Sequence, residues 1–187
     1  SISYGVGVAL FAITSATHAA SEFLVSTEWL EKNINEKNIR ILEVSVDTGQ
    51  FERGHIPNAS NINWHTDLVD PVKRDIASRE NFQQLLRNAG INKDSTVILY
   101  GDNNNWFAAW GVWIFKTYGH KNISILNGGR DKWVKDGRAL NAAVPTFGAG
   151  NFVATAANTG LRALLGDVVK IAKKEDKTTK LVDIRSA

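Results

Sequence analysis

The chain of 187 residues contains no cysteine. That excludes a disulfide framework, a thiolate metal site and a cysteine nucleophile within it. Methionine is absent too, and proline occurs three times. Neither sign of charge dominates: 22 Lys and Arg stand against 19 Asp and Glu, for a net charge of +3 and a pI near 9.2. The basic residues are scattered, which argues against nucleic-acid binding and suits a small anionic substrate. With 43% hydrophobic and 22% charged residues the composition is that of a soluble globular protein.

Residues 1–21 carry no Asp, Glu, Lys or Arg, and the apolar stretch Tyr4 to Ile13 resembles the core of a signal peptide, with Thr17-His18-Ala19 as a cleavage site. The basic start of such a leader and an initiator methionine are missing, so the sequence reads as clipped at its beginning. The apolar core is shorter than the roughly 20 residues that a membrane span needs. The expectation is a signal-peptide remnant over 1–21 and a periplasmic or secreted protein, otherwise a cytoplasmic one, with no stable membrane insertion once the leader is cleaved.

The most informative stretch runs from Val97 to Phe115 and reads as strand, loop and helix. Val97 to Tyr100 is continuously apolar, as in a central parallel strand covered on both faces. The chain turns at Gly101-Asp102, and Asn105 is placed to cap a helix starting near Trp106 through its side-chain oxygen. A loop between a strand's carboxyl end and a helix N-terminus favours an anion or a thiolate. Yet Gly101, Asp102, Asn103, Asn104 and Asn105 offer no cysteine, serine or threonine. The helix itself is apolar on nearly every side through Phe115, which calls for cover from the sheet on one side and from another domain or subunit on the other.

Around this unit, strands are expected at Phe23 to Val25, Ile39 to Val44, from Ile62, and at Ile123 to Leu126. Helices are expected after Ser26, with Trp29, Leu30 and Ile34 inward, after Ser78, with Phe82, Leu85, Leu86 and Ala89 on one face, and over Asp131 to Asp136. The alternation implies an α/β fold with a parallel sheet and helices on both faces. Residues 140–160, rich in Ala, Thr, Gly and Asn, read as a linker. Leu161 to Ala172 is amphipathic and helical, and Leu181 to Ile184 signals a new strand, as if 161–187 began a second domain after a first over 22–139.

Phe51-Glu-Arg-Gly-His55-Ile56-Pro57-Asn58-Ala59 resembles the first rhodanese signature, with Asn58 where Gly is usual; Asn tolerates the same left-handed backbone. Leu126-Asn127-Gly128-Gly129, followed by Trp133 and Gly137, is similar to the loop and helix that end a rhodanese domain. With Trp64 to Leu68, Tyr100-Gly101-Asp102 and Asn105-Trp106, the pattern resembles the non-catalytic first domain of two-domain thiosulfate sulfurtransferases. The fold so implied is rhodanese-like, followed by the start of a second rhodanese-like domain.

The resemblance implies a sulfurtransferase moving sulfane sulfur from thiosulfate to cyanide or another thiophilic acceptor. Its cysteine persulfide would lie beyond this chain, in the second domain, at the loop that Gly101 to Asn105 occupies here; catalytic residues within the chain are none. It further implies that Trp106 and Phe107 wall the substrate cleft, that His55, Pro57, Gly128 and Gly129 are structural, and that no cofactor or metal takes part. The implied partners are thiosulfate and the protein's own second rhodanese domain. A mercaptopyruvate sulfurtransferase of the same architecture and a non-enzymatic rhodanese-like binding module are the alternatives. His65 reads as a solvated turn residue rather than a metal ligand, and Gly128-Gly129 as a turn rather than a phosphate cradle. Arg130 with Asp131 and Arg74 with Asp75 read as local ion pairs, and Asp102 as bonded within its own loop.

Overall fold

A computed structural model describes residues 23–183; the leader-like segment 1–21 and the end of the strand expected over Leu181 to Ile184 lie outside them. Five parallel strands form one sheet in the order β1-β5-β4-β2-β3: β1 Leu24–Val25, β2 Ile39–Glu43, β3 Ala59–Asn61, β4 Thr96–Tyr100 and β5 Ile123–Leu126. The continuous apolar run of β4 takes the middle place, where both faces are covered. Alternate side chains go to opposite sides. Val97 and Leu99 join a core with Phe82, Leu86, Val112 and Phe115, while Ile98 and Tyr100 join another with Leu30, Phe51, Ile56 and Trp133.

The helices are α1 Thr27–Asn33, α2 Gln50–Arg53, α3 Arg79–Asn88, α4 Trp106–Thr117, α5 Gly129–Lys135 and α6 Leu165–Ala172. Ser26 and Ser78 cap α1 and α3, their hydroxyls accepting from the backbone N–H groups of Trp29 and Asn81. Two expectations shift. Trp29 points outward beside the buried Leu30, because a seven-residue helix has room for little more than one buried stripe. The third strand begins at Ala59, not Ile62, which follows it as a core residue whose N–H bonds to Glu43 O.

Residues 140–160 form no strand and scarcely any helix, yet they lie along the body. Gly150 N–H donates to Arg87 O, Phe152 N–H to Ile91 O and Thr155 N–H to Tyr118 O. Phe152 is 3% exposed and belongs to the core, and the Arg40 guanidinium stacks over Phe147 at 4.2 Å. Beyond this strap, α6 buries none of its residues, and Leu181 and Val182 are exposed and outside any strand.

Beneath Phe152 sits His120, 2% exposed, with its ring against Phe152 and Phe115 and neither ring nitrogen hydrogen-bonded among the described residues. Burial lowers its pKa to about 4. The unfolded chain, where the imidazole titrates near its ordinary value of about 6.5, therefore binds more protons than the folded one between these limits. The stabilisation is complete above about pH 6.5 and is lost as pH falls toward 4, by about 3 kcal/mol. Urea unfolding at several pH values, compared with a His120→Leu variant, checks this: the variant should lack that share of the acid sensitivity.

Candidate functional site

The strand ends are knit together by the loop after β4. Gly101 passes so close to the end of β2 that a Cβ there would lie 2.3 Å from Val44 O, so no other residue fits. Asp102, largely buried, does not bond within its own loop as expected. Its Oδ1 accepts from Val46 N at 2.7 Å and its Oδ2 from Asp47 N at 2.9 Å, tying the loop after β2 to the loop after β4. Asn103, Asn104 and Asn105 then run through the left-handed region with φ of 45°, 55° and 62°. Asn is the non-glycine residue that adopts this region most readily, at a cost of roughly 1 kcal/mol or more per residue.

Asn105 stands at the start of α4, but its side chain does not cap the helix. Its Oδ1 accepts from Gly101 N at 3.0 Å and its Nδ2 donates to Leu126 O at 2.8 Å, so the amide joins the ends of β4 and β5. A left-handed N-cap backbone turns the side chain back into the loop. Gly129, at φ 57°, rests against that amide, where a Cβ would meet Asn105 Oδ1 at 2.4 Å. Gly128 and Gly129 thus form the turn that opens α5, and Arg130 N–H donates to Gly101 O at 3.0 Å.

Below this loop lies a buried ionic cluster that sequence proximity conceals. Glu43 is fully buried at the end of β2. Its carboxylate accepts from Arg130 Nη1 at 3.1 and 3.3 Å, from Ser45 Oγ at 2.7 Å and from the Tyr100 hydroxyl. Arg130 Nη2 also donates to Gly54 O, and Tyr100 Oη accepts from Ile56 N at 3.0 Å. Burial first, and then the Glu43 charge, push the Tyr100 phenol well above its usual range. The local pair expected for Arg130 with Asp131 is therefore corrected to a pairing with Glu43. Asp75 likewise pairs with Arg162 at 2.6 Å rather than with Arg74.

The His55 segment hangs on the same cluster. His55 is fully buried and stacked on Phe51 at 3.7 Å, with Nδ1 3.0 Å from Phe51 O and Nε2 3.0 Å from Ala143 O. Both ring nitrogens thus lie within hydrogen-bonding distance of a backbone carbonyl, one of which accepts the N–H of a neutral imidazole. Pro57 and Asn58, at φ 65°, turn the chain from Ile56 to Ala59, closed by Ala59 N–H to Ile56 O at 3.0 Å.

Trp106 and Phe107 differ in exposure. Trp106 is 70% exposed, whereas Phe107 is half-buried and stacks on Trp64 at 4.1 Å. The sheet covers one side of α4, and Leu161 O receives Trp113 Nε1–H at 2.7 Å on the other, but Trp106 and Ala109 stay open. Trp64, Phe107 and Trp106 form a continuous aromatic surface. Trp64 also walls a cleft of about 450 Å³ between the loops after β2 and β3, which Ser45, Asp47, Glu52, Asn63 and His65 help to line. Neither Trp64 nor the cleft could be assigned from sequence, since the two loops meet only in the folded sheet.

The rhodanese-like domain family matches residues 26–136. The chain belongs to the rhodanese-like family. Among relatives of this rhodanese-like chain, the sulfur carrier protein TtuD of Thermus thermophilus is 43% identical over 170 residues, covering 90% of this chain and 60% of the relative. A protein of Saccharopolyspora erythraea named "Putative thiosulfate sulfurtransferase" is 44% identical over 165 residues, 88% of this chain and 57% of that one. The crystal structure of SseA from Escherichia coli, described under 3-mercaptopyruvate sulfotransferases, superposes with a TM-score of 0.77 at 26% identity, covering 88% of this chain and 66% of the other. The chain thus spans about three fifths of the length of the curated relatives it matches.

The cluster yields a direct prediction. Replacing Arg130 by Ala strands the Glu43 carboxylate in the interior and should lower the unfolding free energy by about 3–5 kcal/mol in urea titration. A loss below about 1 kcal/mol would mean that the pair is not what holds the strand ends.

Proposed function

We propose that this chain is the silent rhodanese domain of a sulfurtransferase whose reacting cysteine lies beyond residue 187. The observation that carries the reading is the β4–α4 loop, a rhodanese frame at the strand ends filled by Asp102 and three asparagines, none of which can carry a sulfane sulfur. The shorter span of the chain relative to its relatives is compatible with a second domain, as are an α6 with no buried residue and an open aromatic edge on α4.

In the proposed reaction a cysteine thiolate attacks the outer sulfur of thiosulfate, the S–S bond breaks and sulfite leaves with the electron pair. The resulting persulfide passes its outer sulfur to cyanide or another thiophile, regenerating the thiolate. Trp106, projecting at the start of α4, serves as a wall that keeps water from the persulfide. Mercaptopyruvate in place of thiosulfate is the second reading, favoured by the superposition on the SseA structure. Residues 1–21 are proposed as an export leader, which would place the protein in the periplasm or outside the cell.

The test is thiosulfate-to-cyanide and mercaptopyruvate-to-cyanide transfer by this polypeptide and by the full product of its reading frame. Turnover is expected only in the full product; turnover by the cysteine-free chain, or by neither, would overturn the reading. A Trp106→Ala change is expected to shift unfolding by less than about 1 kcal/mol, because the side chain is exposed. In the full product it should lower transfer several-fold, and unchanged kinetics would remove Trp106 from the site.

A further inference from the structure

The cleft beside Trp64 has a charge pattern at odds with an anionic donor. No lysine or arginine lines it. Asp47 is engaged by Arg53, whose Nη2 lies 2.6 Å from its Oδ2 and also bonds Gln50. Glu52, exposed at the rim, has no hydrogen-bond or ion-pair partner among the described residues, so the cleft keeps one uncompensated negative charge. Asp102 lies behind the Asp47 segment with both carboxylate oxygens filled by backbone N–H groups. Trp64 supplies an aromatic wall, its ring stacked on Phe107 at 4.1 Å and perpendicular to the His65 ring at 5.1 Å.

An indole beside an unpaired carboxylate attracts a cation through both its π face and its charge. Thiosulfate, a dianion, would face the net negative charge of that lining. We propose that this cleft binds a small organic ammonium ion and that, on the sulfur-transfer reading above, it receives the ammonium group of an amino-thiol acceptor. The acceptor's thiolate attacks the outer sulfur of the enzyme persulfide, whose S–S bond breaks. The cysteine leaves as thiolate and takes up the proton that the acceptor lost, and the acceptor departs as its persulfide.

Calorimetric titration of the full reading-frame product tests the binding step with four probes: cysteamine, tetramethylammonium, neutral 2-mercaptoethanol and anionic 3-mercaptopropionate. Both cations should saturate in the millimolar range while the neutral and anionic probes do not. Glu52→Gln should weaken cation binding by about threefold or more, and Trp64→Leu likewise. The Glu52 side chain is exposed, so its variant is expected to fold, and circular dichroism verifies this for both. Equal binding of 3-mercaptopropionate, no saturation by either cation, or unchanged binding by Glu52→Gln would overturn the assignment. Binding is read without turnover, so the two readings fail separately: cation binding in a protein that transfers no sulfur sinks the sulfurtransferase reading alone.

Discussion

A carboxylate cut off from water holds the carboxyl ends of the strands together. Glu43 would be too costly to bury alone, and Arg130, Tyr100 and Ser45 supply the charge and hydrogen bonds that make it tolerable. Each partner arrives on a different piece of chain. Tyr100 ends the central strand, Arg130 opens α5, and Ser45 begins the loop that lines the cleft. Through Gly54 and Ile56 the same cluster fixes the His55 turn.

Above that cluster the loops are built from backbone donors and short polar side chains. Asp102 and Asn105 spend their hydrogen-bonding capacity on neighbouring strands and loops. A left-handed run of three asparagines is costly, and it persists because both of its ends are pinned. The outcome is a loop frame at the strand ends whose interior hydrogen bonds close on one another. What remains open to solvent is the aromatic surface from Trp64 to Trp106 and the cleft beside it.

Local features were readable in the sequence because their physics is local. Ser26 and Ser78 act within one helical turn, and the apolar run ending at Tyr100 marks a strand buried on both faces whatever its neighbours. Asn58 takes the positive φ that its place in the motif demands. Long-range pairing was not readable. Arg130 has Asp131 beside it in sequence, yet it bonds Glu43, 87 residues away. Asn105 has the composition of a helix cap, but its left-handed backbone sends the amide to Leu126 instead. A stretch of Ala, Thr, Gly and Asn says linker, and nothing in that composition reveals that Phe152 enters the core over His120.

On the proposed function, this domain frames sulfur transfer without carrying the sulfur. The most direct measurement is peptide mass mapping of the full reading-frame product after reaction with thiosulfate. One added sulfur atom is expected on a cysteine peptide from beyond residue 187, discharged by cyanide, and none on any peptide from residues 1–187. Sulfur held within residues 1–187, or none held anywhere in the product, would contradict it.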